Sequence, residues 1–178
     1  MTPAEYIQLK AFARVDGAML AVLWVASFVC CIVGLRTPLY SMVALGLMVA
    51  TPFFVGRRLM KFRDFGLGGI ISFARGWGYS VYVFFYAAVL LALAQYVYFA
   101  YIDQGYMVQT FSKLLASPEA RQLAQQYGIQ ETLKEGLEQF GQMRPIDYAL
   151  NVLTVNIMAG MLLGMPIAAM LQRRSVEG

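Results

Sequence analysis

The chain has no histidine, which removes imidazole-ligated haem, histidine-bound zinc and a Ser/His/Asp triad at one stroke. Charge is scarce as well: 13% of residues are charged, about half the share usual for a soluble domain. Cysteine is confined to one adjacent pair, Cys30 and Cys31, inside an apolar run. That placement argues against a disulfide framework or a metal site. The longest gap in charge runs for 27 residues, from Gly76 to Ile102. Such a run is too long for a helix in a soluble domain and long enough to cross a bilayer, which takes roughly 20 residues.

What is present is a set of apolar blocks. Four spans can be drawn, at about 17–35, 39–55, 76–102 and 148–171. The sequence therefore predicts a single all-α membrane domain of four transmembrane helices. The first run is not read as a cleaved signal peptide, because Glu5 and Asp16 precede it and no small-x-small site follows. Thr2-Pro3-Ala4-Glu5 has the pattern of a capping box with proline at the first helical position. Tyr6, Leu9, Phe12 and Ala13 are then expected on a short interfacial helix along the membrane surface. In the third span, Tyr79 and Tyr98 are expected at the two interfaces, roughly 28 Å apart.

A net charge of +4 would suggest a nucleic-acid partner in a soluble protein. Here the cations lie at span ends, so topology accounts for them and no nucleic acid is expected. Residues 56–75 hold Arg57, Arg58, Lys61, Arg63 and Arg75 against one acid, Asp64. Lys10 and Arg14 precede the first span, and Arg173 and Arg174 follow the fourth. The link 103–147 has four basic and six acidic residues. The positive-inside rule then puts both termini and the basic loop in the cytoplasm and the long link outside. In that link, Ser117-Pro118-Glu119 starts a helix that Gly128 ends, and a second helix covers about 130–141. Tyr106 to Leu115 prolong the third span in this reading. The product is an amphipathic helical cap, resting on the membrane or receiving a partner.

No ionisable residue falls at mid-membrane, which weighs against a proton-coupled carrier built from one chain. Gln95 and Asn156 are the deepest amides and are read as packing residues, each seeking a partner on a neighbouring helix. At 100° per residue, Asn156, Gly160, Gly164 and Ala168 form one stripe of the fourth span. This small seam, a GxxxG, is expected to pack within the bundle, with Asn156 bonding across it; a homo-oligomer stays open. Pro52 and Pro166 lie inside spans two and four, where each is expected to mark a kink.

The basic, glycine-rich segment from Gly56 to Arg75 is the one constellation with chemical promise. Arg57, Arg58, Lys61, Arg63 and Arg75, with Gly66-Leu67-Gly68-Gly69, could hold a lipid phosphate such as a polyprenyl phosphate. Topology alone also places arginines there. The segment matches neither GxxxxGK[ST] nor GxGxxG, so no nucleotide site is expected.

Gly68-Gly69-Ile70-Ile71-Ser72-Phe73, followed by an aromatic span ending Tyr98-Phe99-Ala100-Tyr101-Ile102-Asp103, resembles a bacterial family of small membrane proteins. It is catalogued as domain of unknown function 4199. The resemblance covers essentially the whole chain. It implies four spans, a basic inner loop and a helical insertion before span four. Ala74-Arg75 stands where many members carry Gly-Glu, so no role tied to that acid transfers. The family offers no catalytic residues to carry over. Its members are encoded near a family-2 glycosyltransferase resembling polyprenyl-phosphate sugar transferases, which implies a shared pathway in envelope glycan or lipid metabolism. The leading expectation is a non-enzymatic accessory or anchoring subunit of the bacterial inner membrane, without cofactor or metal, for a membrane-associated enzyme such as a glycosyltransferase. The alternative is a protein that binds or translocates an anionic lipid or polyprenyl phosphate. No nucleophile–base pair or carboxylate pair suggests an enzyme.

Overall fold

The computed structural model describes residues 2–173; Arg174, counted above among the cations of the tail, lies outside them. Seven α-helices follow in order: α1 Pro3–Gly34, α2 Pro38–Lys61, α3 Phe73–Val97, α4 Tyr106–Leu115, α5 Pro118–Gln126, α6 Gln130–Gln142 and α7 Pro145–Leu171. A π-helical turn, Phe62–Gly66, extends α2, and another, Tyr98–Ile102, extends α3. The four long helices α1, α2, α3 and α7, with these extensions, are long and apolar enough to cross a membrane. The protein is therefore an all-helical, multi-pass membrane protein.

Helix α3 organises the bundle. It packs most extensively on α7 and next on α1, while α2 lies against α1 and touches α7. The core runs along α3, where Tyr79, Val83, Phe84, Ala87 and Ala88 are all buried. Large apolar side chains on the outer surface, among them Val22, Leu45, Phe53 and Met170, face the lipid.

Close approach is set by glycine. A Cβ at Gly17 would lie 2.7 Å from the Tyr86 Cβ, and one at Gly164 would lie 3.1 Å from the Trp77 ring. A Cβ at Gly160 would overlap Phe84. These positions let α1 and α7 settle against α3. Hydrogen bonds tie the peripheral helix: Trp24 Nε1 donates to Thr51 Oγ1 at 2.9 Å, and Ser27 Oγ donates to the Ala44 carbonyl at 3.0 Å.

The two ends of the bundle differ. At one, the first turn of α1 and the stretch after α7 both meet the start of α3: Arg75 pairs with Glu5 at 3.3 Å, and Ile71 and Arg173 exchange backbone hydrogen bonds at 3.0 Å. At the other end, α4, α5 and α6 form the cap. Ser117 caps α5 by accepting from the Ala120 N–H, and Gly128 turns the chain at a φ of +65°.

Four expectations need correction. Residues Tyr6 to Ala13 are not a separate interfacial helix. They continue into α1 without a break, and Leu9 and Ala13 are buried in the core. The charges of this stretch lower its hydropathy, but the backbone hydrogen bonds of a helix do not depend on hydropathy. Tyr79 stands toward the expected end of its span, but it turns inward and is fully buried instead of facing the headgroups. The basic link 56–75 is largely helical, since α2 runs to Lys61 and its π turn to Gly66. Finally, Tyr106–Leu115 do not prolong the third span. Gln104 and Gly105 take φ values of 45° and 83°, which break the helix before α4 begins.

Candidate functional site

The end where α1 begins and α7 finishes holds most of the cations and a buried ionic network. Asp16 on α1 accepts from Arg58 Nε on α2 at 2.6 Å, and its other oxygen accepts from the Tyr79 hydroxyl on α3. Three helices thus share one carboxylate. The Asp16 side chain is 3% exposed and that of Arg58 23%. Phe62, in the π turn after α2, stacks on the Tyr79 ring at 4.8 Å and an interplanar angle of 7°, and Phe12 packs against Phe62 at 5.2 Å. Eighteen residues separate Asp16 from the far end of α1, roughly 27 Å of helix. That is about one hydrocarbon thickness, so the network sits at the membrane boundary.

The other arginines of the predicted lipid-phosphate set divide into held and unheld. Arg63 Nε donates to Asp64 at 2.7 Å, and its Nη1 donates to the Leu171 carbonyl at 3.1 Å, which satisfies an open carbonyl at the end of α7. Arg75 Nη1 reaches Glu5, while its Nε and Nη2 are buried without a partner among the described residues. Arg58 is held by Asp16. Arg57 and Lys61 have no carboxylate within ion-pair distance among the described residues. Arg57 borders a cleft of about 340 Å³ between α2 and α7, walled by Phe53, Met60, Ile167 and Met170.

The glycine loop folds back on the π turn, where the Gly69 N–H donates to the Arg63 backbone carbonyl at 2.9 Å. Gly68 and Gly69 adopt positive φ and carry the turn with open space around their Cβ positions, and the Gly66 carbonyl accepts from Gln8 at 3.1 Å. A second basic patch lies on the α1–α3 face. Lys10 rests over the Tyr6 ring at 5.1 Å, and Tyr6, Lys10, Arg14 and Tyr86 line a groove of about 370 Å³. Residue-by-residue reading did not single it out as a site. The i, i+4 spacing of Tyr6, Lys10 and Arg14 was a signal for it, but Tyr86 comes from α3, some 70 residues further along the chain.

The residues assigned to helix packing also separate. Gly160, Gly164 and Ala168 lie against α3, facing Phe84, Trp77 and Gly76 respectively. Asn156 does not bond across that seam: its Nδ2 donates to the Val152 carbonyl of its own helix at 2.8 Å. One turn from Gly160, where the helices touch, Asn156 instead borders a cleft shared with Leu91 and Gln95 of α3. Gln95 is buried but has no hydrogen-bond partner on a neighbouring helix among the described residues. Both amides border a cleft of about 220 Å³.

No curated protein and no solved structure matches the chain. A family model does, over residues 16–173, and its description is a protein of unknown function, DUF4199. The match begins at Asp16, the carboxylate that joins three helices, and ends at Arg173, whose backbone pairs with the segment before α3. The chain belongs to the DUF4199 family.

Proposed function

We propose that the protein is a non-catalytic accessory or anchoring subunit of the bacterial inner membrane, serving a membrane-associated enzyme of envelope glycan or lipid metabolism, with a glycosyltransferase the best single choice. Both termini and the basic end face the cytoplasm in this reading, following the distribution of Lys and Arg, and the cap faces outward. The observation that carries the reading is where the buried polar chemistry goes. Asp16, Arg58, Tyr79, Arg63, Trp24, Thr51 and Ser27 all bond to groups within the bundle. Such a bundle is a rigid support. The outward-facing α2 and the amphipathic cap are left as its surfaces for a partner. Purification in mild detergent, with protein and lipid both analysed, tests this. A stoichiometric second polypeptide supports it, and a chain recovered alone with only lipid contradicts it.

A second reading, binding of an anionic lipid, is favoured by one observation: Arg57 faces an apolar cleft with no carboxylate partner among the described residues. Arg57 and Lys61 are its ligands here; Arg58, Arg63 and Arg75 serve mainly to hold the fold. Under this reading, Arg57→Gln with Lys61→Gln lowers co-purified anionic phospholipid. Unchanged lipid content rules it out.

A further inference from the structure

All four membrane-spanning helices contribute to the 220 Å³ cleft in the bundle, through Trp24, Ser27 and Cys31 of α1, Met48 of α2, Gln95 of α3 and Asn156 of α7. Its depth follows from the contacts at Gly17, which faces Val83, Tyr86 and Ala87. Gln95 lies eight to twelve residues further along α3, about 15 Å beyond the Asp16 boundary. That is close to the bilayer midplane.

Gln95 is 8% exposed; its amide has no side-chain hydrogen bond among the described residues and is not fully enclosed, so it opens onto the cleft that it lines. An amide that opens onto a cleft at hydrocarbon depth without a protein partner is costly, so it invites a ligand group. The neighbouring Asn156 uses Nδ2 on its own helix, which leaves its Oδ1 as an acceptor beside the cleft. Ser27 has its hydroxyl proton committed to the Ala44 carbonyl, so its oxygen can only accept. The Gln95 amide both donates and accepts.

The lining holds no carboxylate, lysine or arginine. A charged headgroup would lie unpaired at mid-membrane, which excludes phospholipid phosphates and carboxylates as occupants. The rim is formed by Met48 and Cys31, both exposed on the lipid-facing surface. Entry is therefore from the hydrocarbon and not from water. The volume suits a polar head and the first carbons of a chain, and is below that of a pocket for a whole drug-sized molecule.

We infer that this cleft binds the uncharged hydroxyl or carbonyl end of a neutral membrane lipid, with the Gln95 amide as the recognising group. This goes beyond the accessory role and is independent of the basic end.

The test uses the whole protein in lipid nanodiscs and two photoreactive probes: a diazirine-bearing hexadecanol and the matching diazirine-bearing hexadecane. The alcohol is expected to label the segments 24–31 and 152–156 about fivefold more than the hydrocarbon, the margin of one hydrogen bond. Gln95→Leu is expected to bring alcohol labelling down to the hydrocarbon level while hydrocarbon labelling stays unchanged. Equal labelling of wild type by the two probes, or undiminished alcohol labelling in a folded Gln95→Leu protein, overturns the inference. If Gln95→Leu does not fold, the comparison of probes on wild type decides alone.

Discussion

Replacing Asp16 with alanine removes the acceptor of two side chains on two other helices. Tyr79 is fully buried, so its hydroxyl is left without a partner at a cost of about 1–3 kcal/mol. Arg58 is left without its counter-ion. Losing one member of a buried ion pair costs about 3–5 kcal/mol. The Arg58 side chain is 23% exposed and can turn toward the headgroups, which places its share at the lower end. A total loss of about 4 kcal/mol is expected for Asp16→Ala. Arg58→Met should do comparable damage, since it strands a carboxylate that is 3% exposed. The triple variant Asp16→Leu, Arg58→Met, Tyr79→Phe replaces every polar member with an apolar one. It should recover most of the loss, because buried ion pairs are often matched by apolar packing. Unfolding in an SDS titration, followed by the fluorescence of Trp24 and Trp77, reads all of these stabilities. Single variants within about 0.5 kcal/mol of wild type, or a triple variant as unstable as the sum of its parts, would refute the network's role.

Other outcomes follow from the same packing. Gly160→Leu should destabilise by at least about 1–3 kcal/mol, because any Cβ there overlaps Phe84, whereas Gly46→Ala, with open space around it, should be neutral or slightly stabilising. Trp24→Phe should cost about 0.6–2 kcal/mol by removing the hydrogen bond to Thr51, and the loss should vanish when Thr51→Val is already present. In a background with Cys30 and Cys31 replaced by serine, cysteines introduced at Thr2 and Gln125 should react with a membrane-impermeant maleimide from opposite sides. Reaction of both from one side would contradict four spans.

The membrane-crossing helices were readable because hydrocarbon imposes a simple requirement, a long run without charge, and the chain meets it four times. The cap helices were readable for a different reason, the local chemistry of Ser117-Pro118 and Gly128, which acts within a few residues. What hydropathy obscured was the start of α1. Glu5, Lys10, Arg14 and Asp16 reduce the apolar signal, yet Asp16 is buried because Arg58, 42 residues on, meets it. Pairing across such a distance leaves no local trace. The same holds for Arg63, whose partner is the carbonyl of Leu171, 108 residues away. Composition could count the arginines of the basic segment but could not say that Arg58, Arg63 and Arg75 each pair with a carboxylate while Arg57 and Lys61 have none within ion-pair distance among the described residues. Gln95 and Asn156 show the converse limit. Their depth was evident from the sequence, but whether an amide finds a neighbour depends on how far the helices splay around it.

The accessory role is tested most directly inside living cells, before detergent can separate a complex. A photoreactive amino acid placed at Met42 on the outer face of α2 and, separately, at Leu123 on the cap reports what touches each exposed surface. A discrete adduct with one other polypeptide, from at least one of the two positions, is the predicted result. Adducts with lipid or with a second copy of this chain only, at both positions, would contradict it.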